Sequence, residues 1–247
     1  MKTPIIAATA ALLTILACAA PSTAADPLVL SDIAWTATPP TTGKSEPRLR
    51  VRHKGSSSDV SLDSARRELA SARAALQSGS GPVSFTVDHS AGTLACTGKL
   101  TRAFEGEGGC RFTSDPKFET ALGDRGLVPA RRSDLLAMLL VDATIDLADG
   151  LIAEGVKPKG TDDLIAAAAL DVTGDYVRDL KSEAMVLTDI EDAIACKALG
   201  VDGAYVRGLA AAGYRKLSAE DVIGMKALGV TGDYAKAMNR AAHGNGQ

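Results

Sequence analysis

A fixed period of 29 residues runs through the C-terminal half of the chain and limits what it can fold into more than any other feature. Tyr176, Tyr205 and Tyr234 recur at that spacing, each followed two positions later by a basic residue, Arg178, Arg207 and Lys236. The register extends through Asp134, Asp163, Asp192 and Asp221, then Leu136, Ile165, Ile194 and Ile223, then Val141, Leu170, Leu199 and Leu228. Self-similarity of this length marks stacked supersecondary units, each too small to bury its own apolar face.

The side-chain types within a unit predict two short helices. Glu191 and Asp192 stand at a helix start, where unpaired amides and the helix dipole favour negative charge. Ala193, Ile194, Cys196 and Leu199 follow at helical spacing. Asp142, Asp171, Gly200 and Gly229 share a stop position and belong to types that tolerate left-handed backbone. The residue after each is apolar (Ala143, Val172, Val201, Val230), which suits the hydrophobic closure of a Schellman turn. A second helix is expected after Thr144, Thr173, Asp202 and Thr231, all good N-caps. Helices of about ten residues are marginal alone in water and persist only by packing on their neighbours. The first unit is atypical, with Leu139, Leu140 and Leu147, as expected of an end unit that meets a different partner.

Upstream the period changes to that of strands. Arg48 to His53 alternates charge with bulk, and further strands are expected at about 83–88, 93–99 and 109–113. A turn is expected at Ser56-Ser57-Ser58, and an amphipathic helix through Leu62, Ala65, Leu69, Ala72 and Leu76. The fold class expected is therefore α+β, a small antiparallel sheet with one helix, followed by an all-α, right-handed-type array of four 29-residue helix-pair repeats. The segments divide into 1–25 as a signal peptide, 26–45 as a Thr- and Pro-rich extended leader, 46–118 as the sheet domain, 119–243 as the array and 244–247 as a tail.

The N-terminus carries one charge, Lys2, an apolar run from Ile5 to Ala17, and small residues before Asp26. That is the pattern of an export signal cleaved near Ala24 or Ala25, and it predicts a periplasmic or secreted protein. An alternative is a lipoprotein box ending at Cys18, which would tether the chain to a membrane. In an oxidising compartment Cys96 and Cys110, inward-facing on adjacent strands flanking a loop at 104–108, are expected to form a disulfide. Cys196 is left over, either as a small buried residue or as a reactive thiol.

Charge and motifs narrow the functional class. From Asp26 to Arg125, 13 Lys and Arg face 12 Asp and Glu, a net of +1, and from Gly126 to Gln247 the balance is 13 against 18, a net of −5. Neither half has the basic excess of a nucleic-acid binder, and aromatic residues, at 4%, leave few platforms for stacking bases. His53, His89 and His243 lack metal-ligand spacing, the Gly106-Glu107-Gly108-Gly109 run precedes a strand instead of opening a helix, and no nucleophile motif stands out. No catalytic residue, cofactor site or metal site is therefore assigned. The candidate interaction surface is the row Tyr176, Arg178, Tyr205, Arg207, Tyr234 and Lys236, which stacking would align for an extended peptide or acidic polymer. The competing reading makes each tyrosine a packing residue between units, with its hydroxyl bonded to backbone.

The combination of Thr93-Leu94-Ala95-Cys96-Thr97-Gly98, Gly106-x-Gly108 and Phe112-Thr113-x-Asp115-Pro116-x-Phe118 precedes units reading Lys197-Ala198-Leu199-Gly200-Val201 and Tyr205-Val206-Arg207-x-Leu209. It resembles a group of exported bacterial proteins and the extracytoplasmic extensions of BlaR/MecR-like membrane metallopeptidases, over roughly residues 48–242. The peptidase's His-Glu-x-x-His site is absent, so the resemblance implies an architecture and an envelope setting and no catalytic role. The expectation from sequence is a non-catalytic, exported interaction or scaffold module of the bacterial envelope with a protein or peptide partner, or alternatively a sensory or regulatory partner of an envelope metallopeptidase.

Overall fold

The computed structural model describes residues 26–41, 46–182 and 185–244. The expected signal peptide, the alternative lipidation site at Cys18 and residues 245–247 of the expected tail lie outside the described residues, while Gly244 closes the last helix.

Six strands, β1 (Val29–Thr38), β2 (Arg48–His53), β3 (Ser56–Ser61), β4 (Gly81–His89), β5 (Gly92–Arg102) and β6 (Glu105–Ser114), form one antiparallel sheet in the order β3-β2-β1-β6-β5-β4. The chain thus lays β1 in the middle, between β2 and β6, although it comes first in sequence. This corrects the expectation of a leader over 26–45. Ile33, Trp35 and Ala37 alternate inward and are buried, so this segment anchors the core.

Trp35 explains the glycines opposite it. Gly98 and Gly108 face each other in register on β5 and β6, and a Cβ on either would lie 2.6 Å from the indole. The ring lies over these bare positions, meets Phe85 edge-on at a centroid distance of 5.3 Å, and donates from Nε1 to the Thr97 carbonyl at 3.0 Å. Cys96 and Cys110 stand opposite each other in the same ladder, with Sγ atoms 2.01 Å apart, a disulfide. The connection expected over 104–108 is shorter, because β5 runs to Arg102 and β6 begins at Glu105.

Two more local corrections follow from hydrogen bonding. Ser56, Ser57 and Ser58 are not a turn, since the turn is Lys54-Gly55 and the serines begin β3. The helix expected from Leu62 starts later, as a 3-10 turn (Arg67–Leu69) leading into α1 (Ala70–Leu76). Leu62 instead extends the sheet by donating its amide to Pro47 at 2.9 Å, and Asp63 accepts the amides of Ala65 and Arg66.

Nine further helices follow among the described residues: α2 (Pro116–Asp124), α3 (Asp134–Val141), α4 (Ile145–Ala153), α5 (Thr161–Ala169), α6 (Gly174–Ser182), α7 (Ile190–Ala198), α8 (Gly203–Ala211), α9 (Ala219–Ala227) and α10 (Gly232–Gly244). Contacts join α3 to α5, α5 to α7 and α7 to α9 on one side, and α4 to α6, α6 to α8 and α8 to α10 on the other. At the near end α3 packs on β3, β5 and β6 and α2 packs on α4, so sheet and helices share one continuous core.

The helix ends have the geometry their residues dictate. Asp142, Asp171, Gly200 and Gly229 take φ of 60°, 55°, 69° and 72°. The amides of Ala143, Val172, Val201 and Val230 reach back to Met138, Ala167, Cys196 and Met225 at 2.8–2.9 Å. Thr144, Thr173, Asp202 and Thr231 accept the amides of Leu147, Tyr176, Tyr205 and Tyr234.

Candidate functional site

Two of the three tyrosines in the row are half-buried and tie neighbouring helices together. Tyr176 on α6 donates its hydroxyl to the Val201 carbonyl at 2.8 Å, and Tyr205 on α8 donates to Val230 at 2.7 Å. Each thereby ties an even-numbered helix to the turn that ends the next helix, α6 to the end of α7 and α8 to the end of α9. Lys197 lies 4.5 Å above the Tyr176 ring and Lys226 4.4 Å above that of Tyr205. Burial pushes both phenols above their ordinary pKa, so neither ionises near neutrality. Tyr234 differs, being 56% exposed.

The basic residues are held as well. Arg178 pairs with Glu154 on α4 and Asp175, and Arg207 pairs with Asp179 on α6 at 3.1 Å. Lys236 stands 4.0 Å from Asp233 in its own helix. The structure therefore distributes the six residues over α6, α8 and α10 and engages the first four in contacts between helices.

Small residues set the closest approaches on that side. A Cβ on Gly174 would meet the Gly150 carbonyl at 2.8 Å, and one on Gly232 would meet the Gly208 carbonyl at 2.6 Å. Here α4 touches α6 and α8 touches α10 through bare backbone. Cys196 lies fully buried on α7, where burial, with Asp192 nearby, pushes its thiol up to about 11.

A polar joint links sheet and helices. Arg66 donates through Nη1 and Nη2 to the Leu140 carbonyl near the end of α3, at 3.2 and 3.1 Å, and pairs with Glu68. Next to it His89, at the end of β4, has a side chain only 4% exposed. Its Nδ1 accepts the Ala91 amide at 3.0 Å, which places the proton on Nε2. That Nε2 lies 3.2 Å from Oδ1 of Asp142, off the line of a good hydrogen bond. Burial holds the imidazole below its usual pKa, opposed by Asp142 and Glu68 and reinforced by Arg66.

Beside this joint a groove of about 1140 Å3 opens between β3, with the loop after it, and the turns that end α3 and α5 and begin α4 and α6. It is lined by the small residues Gly150, Ala168, Ala169 and Gly174 and by the carboxylates Asp63, Asp142 and Asp146 among others. The groove was not legible in the sequence, because its two walls come from regions of different period. Among the described residues no group of three or more His, Cys, Asp and Glu is arranged to hold a metal ion.

Comparison with protein-family models, with curated proteins and with solved structures finds no match to this chain.

Proposed function

We propose that the chain is a non-catalytic interaction module exported to the bacterial envelope, built as a small α+β head docked on an α-solenoid of four 29-residue helix pairs. The observation that carries the reading is the serial packing of α3, α5, α7 and α9 on one side and α4, α6, α8 and α10 on the other. Helices α5, α7 and α9 start 29 residues apart, at Thr161, Ile190 and Ala219, and so do α4, α6, α8 and α10, at Ile145, Gly174, Gly203 and Gly232. An array of this kind presents long surfaces whose side chains vary while the packing residues repeat, which suits recognition of a protein or peptide.

Export is supported by the disulfide between Cys96 and Cys110 and by the apolar N-terminal run. No described helix is long and apolar enough to cross a membrane. Membrane attachment would then depend on lipidation at Cys18. The test is crosslinking in intact cells followed by purification through the chain: a discrete envelope protein, recovered reciprocally when it is the bait, is the expected result. Recovery of nothing beyond what a heat-unfolded control retains would contradict the reading.

A second reading, a sensory or regulatory partner of an envelope metallopeptidase, is favoured by the motifs around Cys96 and Lys197 to Val201 that resemble such extensions. Under that reading, the crosslinked protein is a membrane metallopeptidase, and deleting the chain changes its proteolytic output.

A further inference from the structure

We propose that β3 and the groove beside it form a docking site for an extended, basic polypeptide segment, which adds as a further strand to the open edge of the sheet. The proposal deepens the interaction-module reading and rests on it.

Backbone direction supplies the first argument. Strand β3 pairs antiparallel with β2, Ser61 opposite Arg48 and Asp59 opposite Arg50. The Leu62 amide donates to Pro47 at 2.9 Å, one step further along the same ladder. Backbone groups alternate in direction along an antiparallel strand, so those of Ser58 and Val60 turn toward β2 and those of Ser57, Asp59 and Ser61 turn away from the sheet. The position of Arg48 agrees with this, since its Nη2 donates to the Asp59 carbonyl at 3.1 Å from outside the ladder. The Asp59 amide and both backbone groups of Ser61 are left directed at the groove that these residues line. The opposite edge strand, β4, carries Pro82, which blunts pairing, whereas β3 has neither a proline nor a lysine.

Charge selects the occupant. The arginines that line the groove are already engaged: Arg48 with Asp59, Arg66 with Glu68, and Arg178 with Glu154 and Asp175. On the other side, Asp63 caps backbone amides, Asp142 faces the neutral His89, and Asp146 is exposed in the first turn of α4. These three carboxylates leave the lining negative. The small side chains of Ala168, Ala169, Gly150 and Gly174 in the lining leave room for alternate side chains of an added strand. Backbone pairing to Ser57, Asp59 and Ser61 fixes the register, and lysines or arginines at alternate positions meet the carboxylates.

The test uses the whole mature chain and a fluorescent probe peptide, Thr-Lys-Val-Lys-Val-Lys-Thr, with a Glu-for-Lys version and one N-methylated at alternate amides. The lysine peptide is expected to bind and to weaken as salt rises from about 0.05 to about 0.3 M. Both control peptides are expected to bind at least about tenfold more weakly. Ser61→Pro removes only an outward amide, and Ala169→Trp fills the groove, so each should lower affinity about tenfold without shifting the melting temperature of the chain. No binding of the lysine peptide, or equal binding by both stable variants, overturns the proposal. If both variants still capture the envelope partner found by crosslinking, the groove assignment fails and the interaction-module reading stands. If the wild-type chain captures no partner and binds no probe, both fail.

Discussion

Tyr205 and Tyr234 occupy the same place in α8 and α10, but among the described residues only Tyr205 has a carbonyl to donate to. Tyr205→Phe is therefore expected to destabilise the chain by about 1 kcal/mol, the net value of one hydrogen bond. Tyr234→Phe should be neutral in the same urea titration. Equal effects would mean that the hydroxyl to Val230 contributes nothing. His89 makes a prediction of a different kind. Its folded pKa lies below the unfolded value of 6.5, so the fold favours the neutral ring. The stability this contributes is present in full above pH 6.5 and is lost as the pH falls toward the folded value. Urea titrations at pH about 7.5 and about 5.5 should show a larger loss for the wild type than for His89→Gln, and equal losses would remove His89 from the account. Cys196, buried and with its thiol near 11, should resist thiol reagents at pH about 8 until the chain unfolds.

At the level of elements, glycines separate packing from propensity. Gly174→Ala drives a methyl into the Gly150 carbonyl and should cost about 1–3 kcal/mol. Gly224→Ala, in the exposed middle of α9 with nothing within 4 Å of the added carbon, should instead stabilise by about 0.5–1 kcal/mol. Thermal unfolding of the two variants distinguishes them by sign. The helix ends were legible in the sequence because left-handed caps and N-cap side chains act locally, as at Asp171 and Thr173. Strand β1 was not, because Pro39-Pro40 and the threonines around it suggest a leader, while the partners that make it a strand lie far away along the chain. Trp35 held the missed signal, a lone indole alternating with Ile33 and Ala37, which the distant Gly98 and Gly108 accommodate. Ser56 to Ser58 misled for a similar reason, since edge pairing to β2 overrides the turn preference of serine.

For the whole molecule, the sheet and helices meet through α3, Arg66 and His89, and the groove exists only because they meet. A groove of this origin is invisible to a reading that treats each region by its own period, which is why the sequence pointed to the tyrosine row instead. In the structure the hydroxyls of Tyr176 and Tyr205 serve packing between helices, while Tyr234 and the basic side chains of the row remain exposed. The tyrosines are expected to serve helix packing and the groove beside β3 to serve binding. Recovery, by Tyr234→Ala and by Ala169→Trp, both at exposed positions, of whatever partner crosslinks to the wild type separates the two roles. Recovery equal to wild type with Tyr234→Ala and lost with Ala169→Trp is the predicted result; loss with Tyr234→Ala and full recovery with Ala169→Trp would contradict it.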